Sequence, residues 1–455
     1  PPGFPKRQMP LAGLPIGKRS ALLLDKENMT KYSISPMSSL YELYLRHPRI
    51  STDSRRIEPD SVFFALRGAS FDGNRFAADA LEKGAAYAVV DDPSLPNTRP
   101  DKADRLIVVD DALQTLQTLA REHRRELGLP ILAITGSNGK TTTKELVSRV
   151  LAEKYEVYAT RGNLNNHIGV PLTLLAMTRD VEFGIVEMGA SACGEIALLC
   201  SIAEPNYGIV TNIGRAHLEG FGGPEGVRRG KGELYDWLAR TGGRVFVPAN
   251  DPVLMSMAAE RETLAAECYP TTLADGVEHH LEGDYNRFNV AAAVAVGRYF
   301  GVDDERIRYA VGSYRPDNHR SQKIRTGQNT LILDCYNANP SSMQASLVNF
   351  RQEPLESCTR KILILGDMLE LGDWSDAEHR HIISLAAEIP DARILLVGPH
   401  FAKAYRSLES RPADTTLYPS QEALAAELRK HPVSQALILV KGSHSIGLER
   451  LADLL

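Results

Sequence analysis

Cysteine is scarce in this sequence, long apolar runs are absent, and positive charge is not in excess. Five cysteines occur in 455 residues, and none forms a C-x-x-C pair or joins a Cys/His cluster, which favours a reducing compartment over a disulfide framework. No apolar run reaches the roughly 18 residues of a membrane-spanning helix. Lys and Arg total 52 against 57 Asp and Glu, and this net charge of −5 gives no broad basic field for nucleic acid or anionic lipid. These absences predict a cytoplasmic protein that holds any anionic ligand at a local site.

The length and the residue pattern predict an α/β protein of several domains. At roughly 100–200 residues per domain, about two to four domains are expected. The composition is 43% hydrophobic and 24% charged, a globular balance that lets each domain bury a core. From about residue 60 to the end, strand-like apolar runs alternate with helical stretches, which is typical of parallel sheets covered by helices.

Changes in composition place the domain boundaries. Residues 1–28 are basic and rich in proline and predict a disordered leader. The three domains are expected at 29–111, 112–318 and 319–455. The last helix of the central domain is predicted at about 286–300, and the polar segment SYRPDNHRSQK (313–323) has the composition of a linker. The expected architecture is a small α/β domain, a central parallel sheet that binds nucleotide, and a Rossmann-like third domain.

A glycine-bounded turn lies between a predicted strand and helix in ILAITGSNGKTTTKEL (131–146). Backbone N–H groups and a helix amino terminus can hold phosphate oxygens there, Lys140 can reach the outer phosphates, and the Thr141 hydroxyl can bind Mg²⁺. The common spacing G-x-x-x-x-G-K-[ST] needs glycine at position 134, where this chain has Ile134, so the loop is a compact variant. The alternative is a turn that only connects the strand to the helix, but such a turn does not require the sequence Lys-Thr-Thr after it. The residues predicted to bind ATP through its phosphates are Gly136, Ser137, Asn138, Gly139, Lys140, Thr141 and Thr142.

The compact loop TGSNGKTT resembles that of the Mur ligases and their relatives the folylpolyglutamate synthetases. The resemblance to Mur ligases extends over residues 38–455, and it is strongest for the branch that adds D-alanyl-D-alanine to UDP-N-acetylmuramoyl-tripeptide. The strings that carry it are STDSRRIEPDSVFFALRGASFDGN, TRGNLNNHIGVPLTLL, EMGASACGEI, TNIGRAHLEGFG, NHRSQ, DCYNANPSSM, LGDMLELG and VKGS. It implies a monomeric enzyme of the bacterial cytoplasm that makes an amide bond through an acyl phosphate, at the expense of ATP.

A metal site is expected beside the phosphate loop. Glu187 ends the apolar run FGIVEMG (183–189), where a carboxylate emerges at the ligand-facing edge of a sheet and offers the hard oxygen that Mg²⁺ prefers. The resemblance assigns Glu187 and His217 to Mg²⁺ and implies that Lys231 is carbamylated. An ammonium roughly 4 Å from Mg²⁺ would be repelled by about 8 kcal/mol at an effective dielectric of about 20, whereas a carbamate is attracted. As alternatives, Glu187 could be an ordinary acid at the end of a strand, and His217 could be structural. Lys231 could be a surface charge, or an unmodified lysine that contacts phosphate. The catalytic set is Lys140, Glu187, His217 and Lys231.

The resemblance also implies residues for the rest of the nucleotide. Asn289, Arg320 and Asp334 match positions that hold the adenine, a phosphate and the ribose, and Tyr336 and Asn337 follow in the same string. As alternatives, Asn289 could cap a turn, Arg320 could be a linker charge, and Asp334 could be a turn residue at the end of a strand. Arg320 lies in the linker and could reach phosphate only after the third domain closes.

Three further groups of polar residues are expected to bind substrate. The first domain should hold the UDP-sugar through Ser54, Arg55, Asp72, Gly73 and Asn74. Paired amides can bind sugar and peptide without adding charge, which suggests Asn165 and Asn166 for the muramoyl-peptide, although a turn capping the next helix is the alternative. The candidates for contacts to the dipeptide are Asp367, Glu370, His379, Lys441 and Ser443.

Two other functions remain open at this stage. A sister ligase that adds a single amino acid, or a folate glutamate ligase, would share the loop but not strings such as NNHIGVP and NHRSQ. A P-loop switch that uses ATP only to change shape would make no covalent product.

Overall fold

The computed structural model describes residues 36–281, 283–315 and 322–455. Within them, three main sheets built on parallel strands follow one another along the chain, each flanked by helices. The predicted α/β class with three domains is therefore confirmed. No helix in the described part of the chain is both long and apolar enough to cross a membrane. The predicted leader lies outside the described residues.

The first sheet contains four short parallel strands in the order β1-β2-β5-β6. The elements are α1 (Pro36–Arg46), β1 (Ile50–Ser51), β2 (Val62–Phe64), β3 (Arg67–Gly68), β4 (Phe71–Asp72), α2 (Ala77–Glu82), β5 (Tyr87–Val90), α3 (Leu95–Thr98), β6 (Leu106–Val108) and α4 (Ala112–Leu127). Strands β3 and β4 form a separate antiparallel hairpin. The hairpin places Asp72 at the end of β4, just before the turn that carries Gly73 and Asn74.

Helix α4 connects the first sheet to the central one. The Asp111 carboxylate accepts a hydrogen bond from Gln114 N–H at its start, and Gly128 ends it in the left-handed conformation at φ 65°. Leu116 and Leu119 are fully buried in one apolar cluster that contains residues of both the first and the central sheets. The helix is thus packed against both neighbours, and the exact domain boundary beside it stays a prediction.

The central sheet has six parallel strands in the order β12-β11-β10-β7-β9-β8. Its elements are β7 (Ile131–Thr135), α5 (Lys140–Ala152), β8 (Val157–Ala159), α6 (Gly169–Leu175), β9 (Phe183–Glu187), α7 (Glu195–Ala203), β10 (Tyr207–Val210), α8 (Leu218–Phe221), α9 (Pro224–Thr241), β11 (Arg244–Pro248), α10 (Pro252–Ala259), β12 (Ala265–Tyr269), α11 (Asn286–Tyr299) and α12 (Asp304–Ser313). Strands β7 and β9 are buried at every position, as expected for a sheet covered on both faces. Because β7 pairs with β9 on one side and β10 on the other, the loops that follow these three strands meet at one edge.

Two elements of the central domain depart from the sequence expectation. Strand β12 was not predicted, because its edge position leaves all its side chains but Tyr269 exposed or only partly buried, and its apolar signal is weak. Helix α12 follows α11, so the prediction that the last helix of this domain lies at about 286–300 is wrong. Only Ile307, Ala310 and Val311 of α12 are buried, and so short an apolar stripe is a weak helix signal.

The third sheet has the strand order β13-β14-β18-β15-β16-β17, with only β13 antiparallel. Its elements are β13 (Gln322–Arg325), β14 (Thr330–Asp334), α13 (Pro340–Gln352), β15 (Arg360–Gly366), α14 (Ser375–Ala387), β16 (Ala392–Val397), α15 (Pro399–Arg406), β17 (Thr415–Tyr418), α16 (Gln421–Lys430) and β18 (Ala436–Lys441). Strands β14, β18 and β15 are adjacent, so Asp334, Lys441 and Gly366 end at one edge. That edge faces the central domain, since Leu218 and Phe221 of α8 are buried in the apolar cluster of the third domain.

Candidate active site

The turn after β7 is shaped by two glycines that no other residue can replace without displacement. Gly136 has φ 140°, and a Cβ there would lie 2.0 Å from Thr211 Oγ1. Gly139 has φ 79°, and a Cβ there would lie 2.7 Å from Asn289 Oδ1. Both angles are in the region that favours glycine. The turn therefore folds tightly and starts α5 at Lys140, as the sequence predicts.

The loop after β10 holds the phosphate loop in place. Ser137 N–H donates to the Asn212 carbonyl at 3.1 Å, and Asn138 N–H donates to Asn212 Oδ1 at 3.1 Å. Thr211 Oγ1 and Asn212 Nδ2 both donate to the Asn138 carbonyl. The N–H groups of Ser137 and Asn138, predicted to wrap phosphate, are thus engaged within the protein. The amino terminus of α5, where the first-turn N–H groups have no partner inside the helix, remains as the part of the loop suited to an anion.

The Lys140 ammonium lies folded over the same loop. Its Nζ donates to the Gly136 carbonyl at 2.8 Å and to the Ser137 carbonyl at 3.1 Å. The side chain is half-buried and lines the large cavity between the central and third domains. A lysine in this position can reach an anion at the amino terminus of α5 by changing rotamers, without any movement of the backbone.

Glu187 lies where the sequence predicts, at the carboxyl end of β9, and is only 1% exposed. One carboxylate oxygen accepts from the Thr141 hydroxyl and the other accepts from Asn165 Nδ2, both at 2.9 Å. The described residues contain no group of three or more His, Cys, Asp or Glu with metal-binding geometry. A lone buried carboxylate beside a hydroxyl fits Mg²⁺, which commonly takes one or two protein carboxylates and completes its shell with phosphate and water.

Lys231 is buried inside the central domain. It lies on α9, is 1% exposed, donates from Nζ to the Ala190 carbonyl at 3.1 Å, and has its Nζ 5.1 Å from the centroid of the Phe221 ring. Burial, reinforced by the positive charge of Lys140, lowers the pKa of Lys231 to about 7. The alternative of a surface charge is therefore wrong. An amine with this pKa is largely neutral in mildly alkaline solution, and the neutral amine is the form that reacts with CO₂.

His217 and Glu370 pair across the boundary between the central and third domains. His217 precedes α8, and its Nδ1 is in hydrogen-bonding contact with Glu370 Oε2. This contact lowers the pKa of the Glu370 carboxyl. Glu370 is therefore placed against a predicted metal ligand, and its contact to the dipeptide stays a prediction.

Asn289 and Asp334 are both held by neighbouring side chains at the cavity. Asn289 accepts from the Thr143 hydroxyl at 3.0 Å and donates to Asn286 Oδ1 at 2.8 Å. The Lys441 ammonium pairs with the Asp334 carboxylate at 2.5 Å. Asn289 also contacts Gly139 closely, so it supports the phosphate loop as well as lining the cavity. Their contacts to adenine and ribose stay predictions.

A cavity of about 870 Å³ brings together the central and third domains. The residues that the sequence analysis selected and that line it are Ser137, Asn138, Gly139, Lys140, Thr142, Asn165, Asn166, Glu187, His217, Asn289, Asp334, Tyr336, Asn337 and Lys441. The walls also contain Tyr285, Phe288 and Tyr314, aromatic residues that the motifs did not indicate. Apolar walls with a few polar groups are typical of small-molecule sites. Arg320 lies outside the described residues.

Three residues predicted to contact the dipeptide are instead satisfied inside the third domain. Asp367 is 1% exposed and accepts from the N–H groups that begin α15, at His400 and Phe401. His379 is 0% exposed; its Nε2 accepts from Met368 N–H, and its Nδ1 lies 2.7 Å from the Ser375 carbonyl. The Ser443 hydroxyl accepts from Leu369 N–H at 3.1 Å. Their polar atoms hold the start of α15 and the turn after β15, and their contacts to the dipeptide stay predictions.

The two asparagines after β8 have different roles in the structure. Asn165 contacts the Glu187 carboxylate, whereas Asn166 Oδ1 accepts from the N–H groups of Ile168 and Gly169. The second arrangement is the turn cap that the sequence analysis kept as the alternative. Both residues still line the cavity, so a substrate contact for either stays a prediction.

The candidates in the first domain lie apart from the large cavity, and none of the five lines it. The Asp72 carboxylate accepts from the N–H and the Nδ2 of Asn74, and that amide also donates to Asp91. A Cβ on Gly73 would lie 2.5 Å from the Leu66 carbonyl oxygen, so this turn is tightly packed. Ser54 is buried, while Arg55 is exposed and pairs with a neighbouring acid.

Asn339 is a residue that the motif analysis did not select. Its amide exchanges two hydrogen bonds with the amide of Asn138, 201 positions earlier, at 2.8 and 3.4 Å. It also caps α13 by accepting from Ser342 N–H. The Asn-Pro pair at a helix start signals the cap, but no pattern in the sequence signals the partner across the domain boundary.

Substitution Asn339→Ser separates these two roles. Serine keeps the helix cap, so thermal stability should change little. Loss of the amide pair, worth about 1 kcal/mol, should raise the KM for ATP by about fivefold. Steady-state kinetics and a melting curve check both values. An unchanged KM would mean that the pair does not help to hold the phosphate loop in its binding conformation.

The fold and the cavity define a three-domain protein in which a phosphate loop opens onto a cleft between two domains. Three family models match the chain: "Mur ligase family, catalytic domain" at 48–124, "Mur ligase middle domain" at 134–272 and "Mur ligase, glutamate ligase domain" at 319–444. The UDP-N-acetylmuramoyl-tripeptide–D-alanyl-D-alanine ligase of Bacillus subtilis is 34% identical, over 88% of this chain and 92% of its own. The chain belongs to the Mur ligase family.

Solved structures agree with this assignment. A crystal structure of MurF from Acinetobacter baumannii superposes with a TM-score of 0.78 at 30% identity, covering 89% of this chain and 93% of that one. MurF ligase from Thermotoga maritima in complex with ADP has a TM-score of 0.76 at 25% identity, covering 90% and 97%. The resemblance given by the sequence strings is thus confirmed across nearly the whole chain.

Proposed function

We propose that this protein is an ATP-dependent ligase that joins D-alanyl-D-alanine to UDP-N-acetylmuramoyl-tripeptide and gives UDP-N-acetylmuramoyl-pentapeptide, ADP and phosphate. One observation carries the proposal: the amino terminus of α5, Lys140 and Glu187 converge on one large cavity between two domains. The same reaction is named for relatives that align with the chain almost end to end. The product would serve peptidoglycan synthesis and, through it, cell division, in the bacterial cytoplasm.

The reaction begins with activation of a carboxylate that is a poor electrophile. A carboxylate oxygen of the tripeptide attacks the γ-phosphorus, the bond to the bridging oxygen breaks, and ADP leaves with that electron pair. The product is an acyl phosphate. Lys140 and the amino terminus of α5 stabilise the charge that spreads over the phosphoryl oxygens, in a site where aligned dipoles need little reorganisation.

Amide formation follows from the acyl phosphate. The amine of D-alanyl-D-alanine adds to the carbonyl carbon, the amine loses a proton to solvent, and the tetrahedral intermediate collapses with expulsion of phosphate. No side-chain nucleophile is needed. Holding the partners together supplies much of the acceleration, since positioning can contribute roughly 7–11 kcal/mol. The cavity is suited to this because its walls come from two domains.

The residues around Glu187 fit a divalent cation. Thr141 and Glu187 would hold Mg²⁺ through oxygen, and His217 would hold a second ion through the ring nitrogen not engaged by Glu370. When bound, the cations neutralise negative charge on the phosphates. Carbamylated Lys231 would add two anionic oxygens in this neighbourhood, and its lowered pKa and burial support that modification.

Product analysis tests the proposal directly. The protein is incubated with ATP, Mg²⁺, UDP-N-acetylmuramoyl-tripeptide and one amine at a time: D-alanyl-D-alanine, D-alanine, L-lysine, meso-diaminopimelate or L-glutamate. Mass spectrometry should find the UDP-N-acetylmuramoyl-pentapeptide only with the dipeptide. A product with a single amino acid would indicate a sister ligase, and ADP without any new peptide would indicate a nucleotide-driven switch.

A further inference from the structure

A short segment of the central domain, residues 215–221 after β10, is inserted into the third domain. Leu218 and Phe221 are 0% and 3% exposed and belong to the apolar cluster of the third sheet. The Arg215 guanidinium pairs with the Glu378 carboxylate at 3.0 Å, and Glu378 is itself buried. Apolar burial and an ion pair together fix the segment relative to the third domain, so its conformation depends on docking of that domain.

Glu370 holds this segment through two different groups. Its backbone carbonyl accepts from Glu219 N–H at 3.2 Å, and its carboxylate contacts Nδ1 of His217. His217 lines the cavity that also contains Glu187. Within the described residues, no hydrogen bond to Nε2 of His217 is found. The ring nitrogen left to face a ligand is therefore Nε2.

Both partners of this contact have an unusual backbone conformation. His217 has φ 52° and Glu370 has φ 61°, in the left-handed region that residues other than glycine seldom adopt. Such conformations cost roughly 1–3 kcal/mol and persist where the surrounding structure enforces them. Leu218, directly after His217, is buried in the apolar cluster of the third domain and anchors the histidine side of this contact. The contact is thus built into the docked arrangement of the two domains.

We propose that Glu370 is a positioning residue that fixes the His217 ring for cation binding only when the third domain is docked. A histidine that binds a metal through one ring nitrogen commonly donates a hydrogen bond from the other ring N–H to a carboxylate, and this bond sets the orientation of the ring. In this chain the carboxylate comes from a different domain from the histidine. The cation site is then complete only in the closed enzyme. This inference rests on the proposed function, since it takes His217 as a ligand.

Cation affinity measures the effect without turnover. Mn²⁺ replaces Mg²⁺ and is titrated by electron paramagnetic resonance into the full-length protein with a non-hydrolysable ATP analogue. Loss of an orienting carboxylate should weaken the binding of the cation at His217 by about tenfold in Glu370→Ala. Glu370→Gln keeps an acceptor oxygen and should recover most of that loss. Glu388→Gln, on an exposed acid paired with Arg351, is the matched control and should leave the affinity unchanged.

A double-mutant comparison separates positioning from a general structural effect. In a His217→Ala background, Glu370→Ala should cause no further loss of Mn²⁺ affinity. The inference is overturned if Glu370→Ala alone leaves the Mn²⁺ affinity unchanged, or if His217→Ala itself does not lower that affinity. It is also overturned if Glu370→Ala still lowers the Mn²⁺ affinity tenfold in the His217→Ala background. Formation of the pentapeptide by the wild-type protein is assayed separately. If the wild-type protein forms the pentapeptide but Glu370→Ala binds Mn²⁺ as tightly as the wild type, only the inference is refuted. If the wild-type protein forms no pentapeptide, the proposed function is refuted.

Discussion

Substitution Lys140→Met is expected to lower the rate of amide formation by about 10²–10³-fold, the typical cost of removing one group that stabilises transition-state charge. Methionine keeps an unbranched side chain of similar length and removes the ammonium. The fold should persist, because the Lys140 side chain is only half-buried and lines the cavity, and its Nζ donates to two carbonyls of the loop itself. Initial rates of ADP and pentapeptide formation measure the effect.

The matched control for this substitution is Lys403→Met. Lys403 is 69% exposed and pairs with Asp376 on the third domain, away from the cavity. Its removal should change the rate by less than a factor of two. Equal effects of the two substitutions, or full activity of Lys140→Met, would contradict the placement of the triphosphate at this loop and with it the proposed reaction.

Substitution Lys231→Ala should lower the rate by roughly 100-fold, the upper end of the range for removing a group that tunes a metal site. If the native group is a carbamate, short-chain carboxylic acids such as formate or acetate should enter the space left by the side chain and restore part of the activity. Lys403→Ala, treated in the same way, should neither lose activity nor respond to the acids. Full activity of Lys231→Ala would contradict the carbamate proposal.

The pH dependence of the wild-type enzyme follows from the same lysine. Its pKa of about 7 means that the neutral amine predominates above pH 7 and the ammonium below it. Carbamylation should therefore be favoured as the pH rises from 6 to 8. At equal concentrations of dissolved CO₂, CO₂-depleted enzyme should regain more activity at pH 8 than at pH 6. A response that is the same at both values would indicate that the modification does not depend on this amine.

The sequence strings placed the glycine turn and Glu187 correctly at the carboxyl ends of two central strands. The compact glycine loop, the start of α5 at Lys140 and the position of Glu187 at the end of β9 all follow from local order along the chain. A buried strand followed by a glycine turn and a helix is specified within about 20 residues, so periodicity and turn chemistry suffice to predict it. The strings for the third domain were less informative, because an Asp or His that follows a strand can stabilise a turn as readily as it can bind a ligand.

The sequence by itself determined the α/β class, the order of the three sheets and the place of the phosphate loop, since these depend on patterns between near neighbours. Tertiary structure alone decided that Lys231 is buried, that Asp367 and His379 face inward, and that Glu370 meets His217. The pairs His217–Glu370 and Asn138–Asn339 join residues 153 and 201 positions apart. Contacts of this kind arise only when two separately folded sheets dock, and the burial that lowers the pKa of a lysine is a property of the packed interior rather than of its neighbours in the chain.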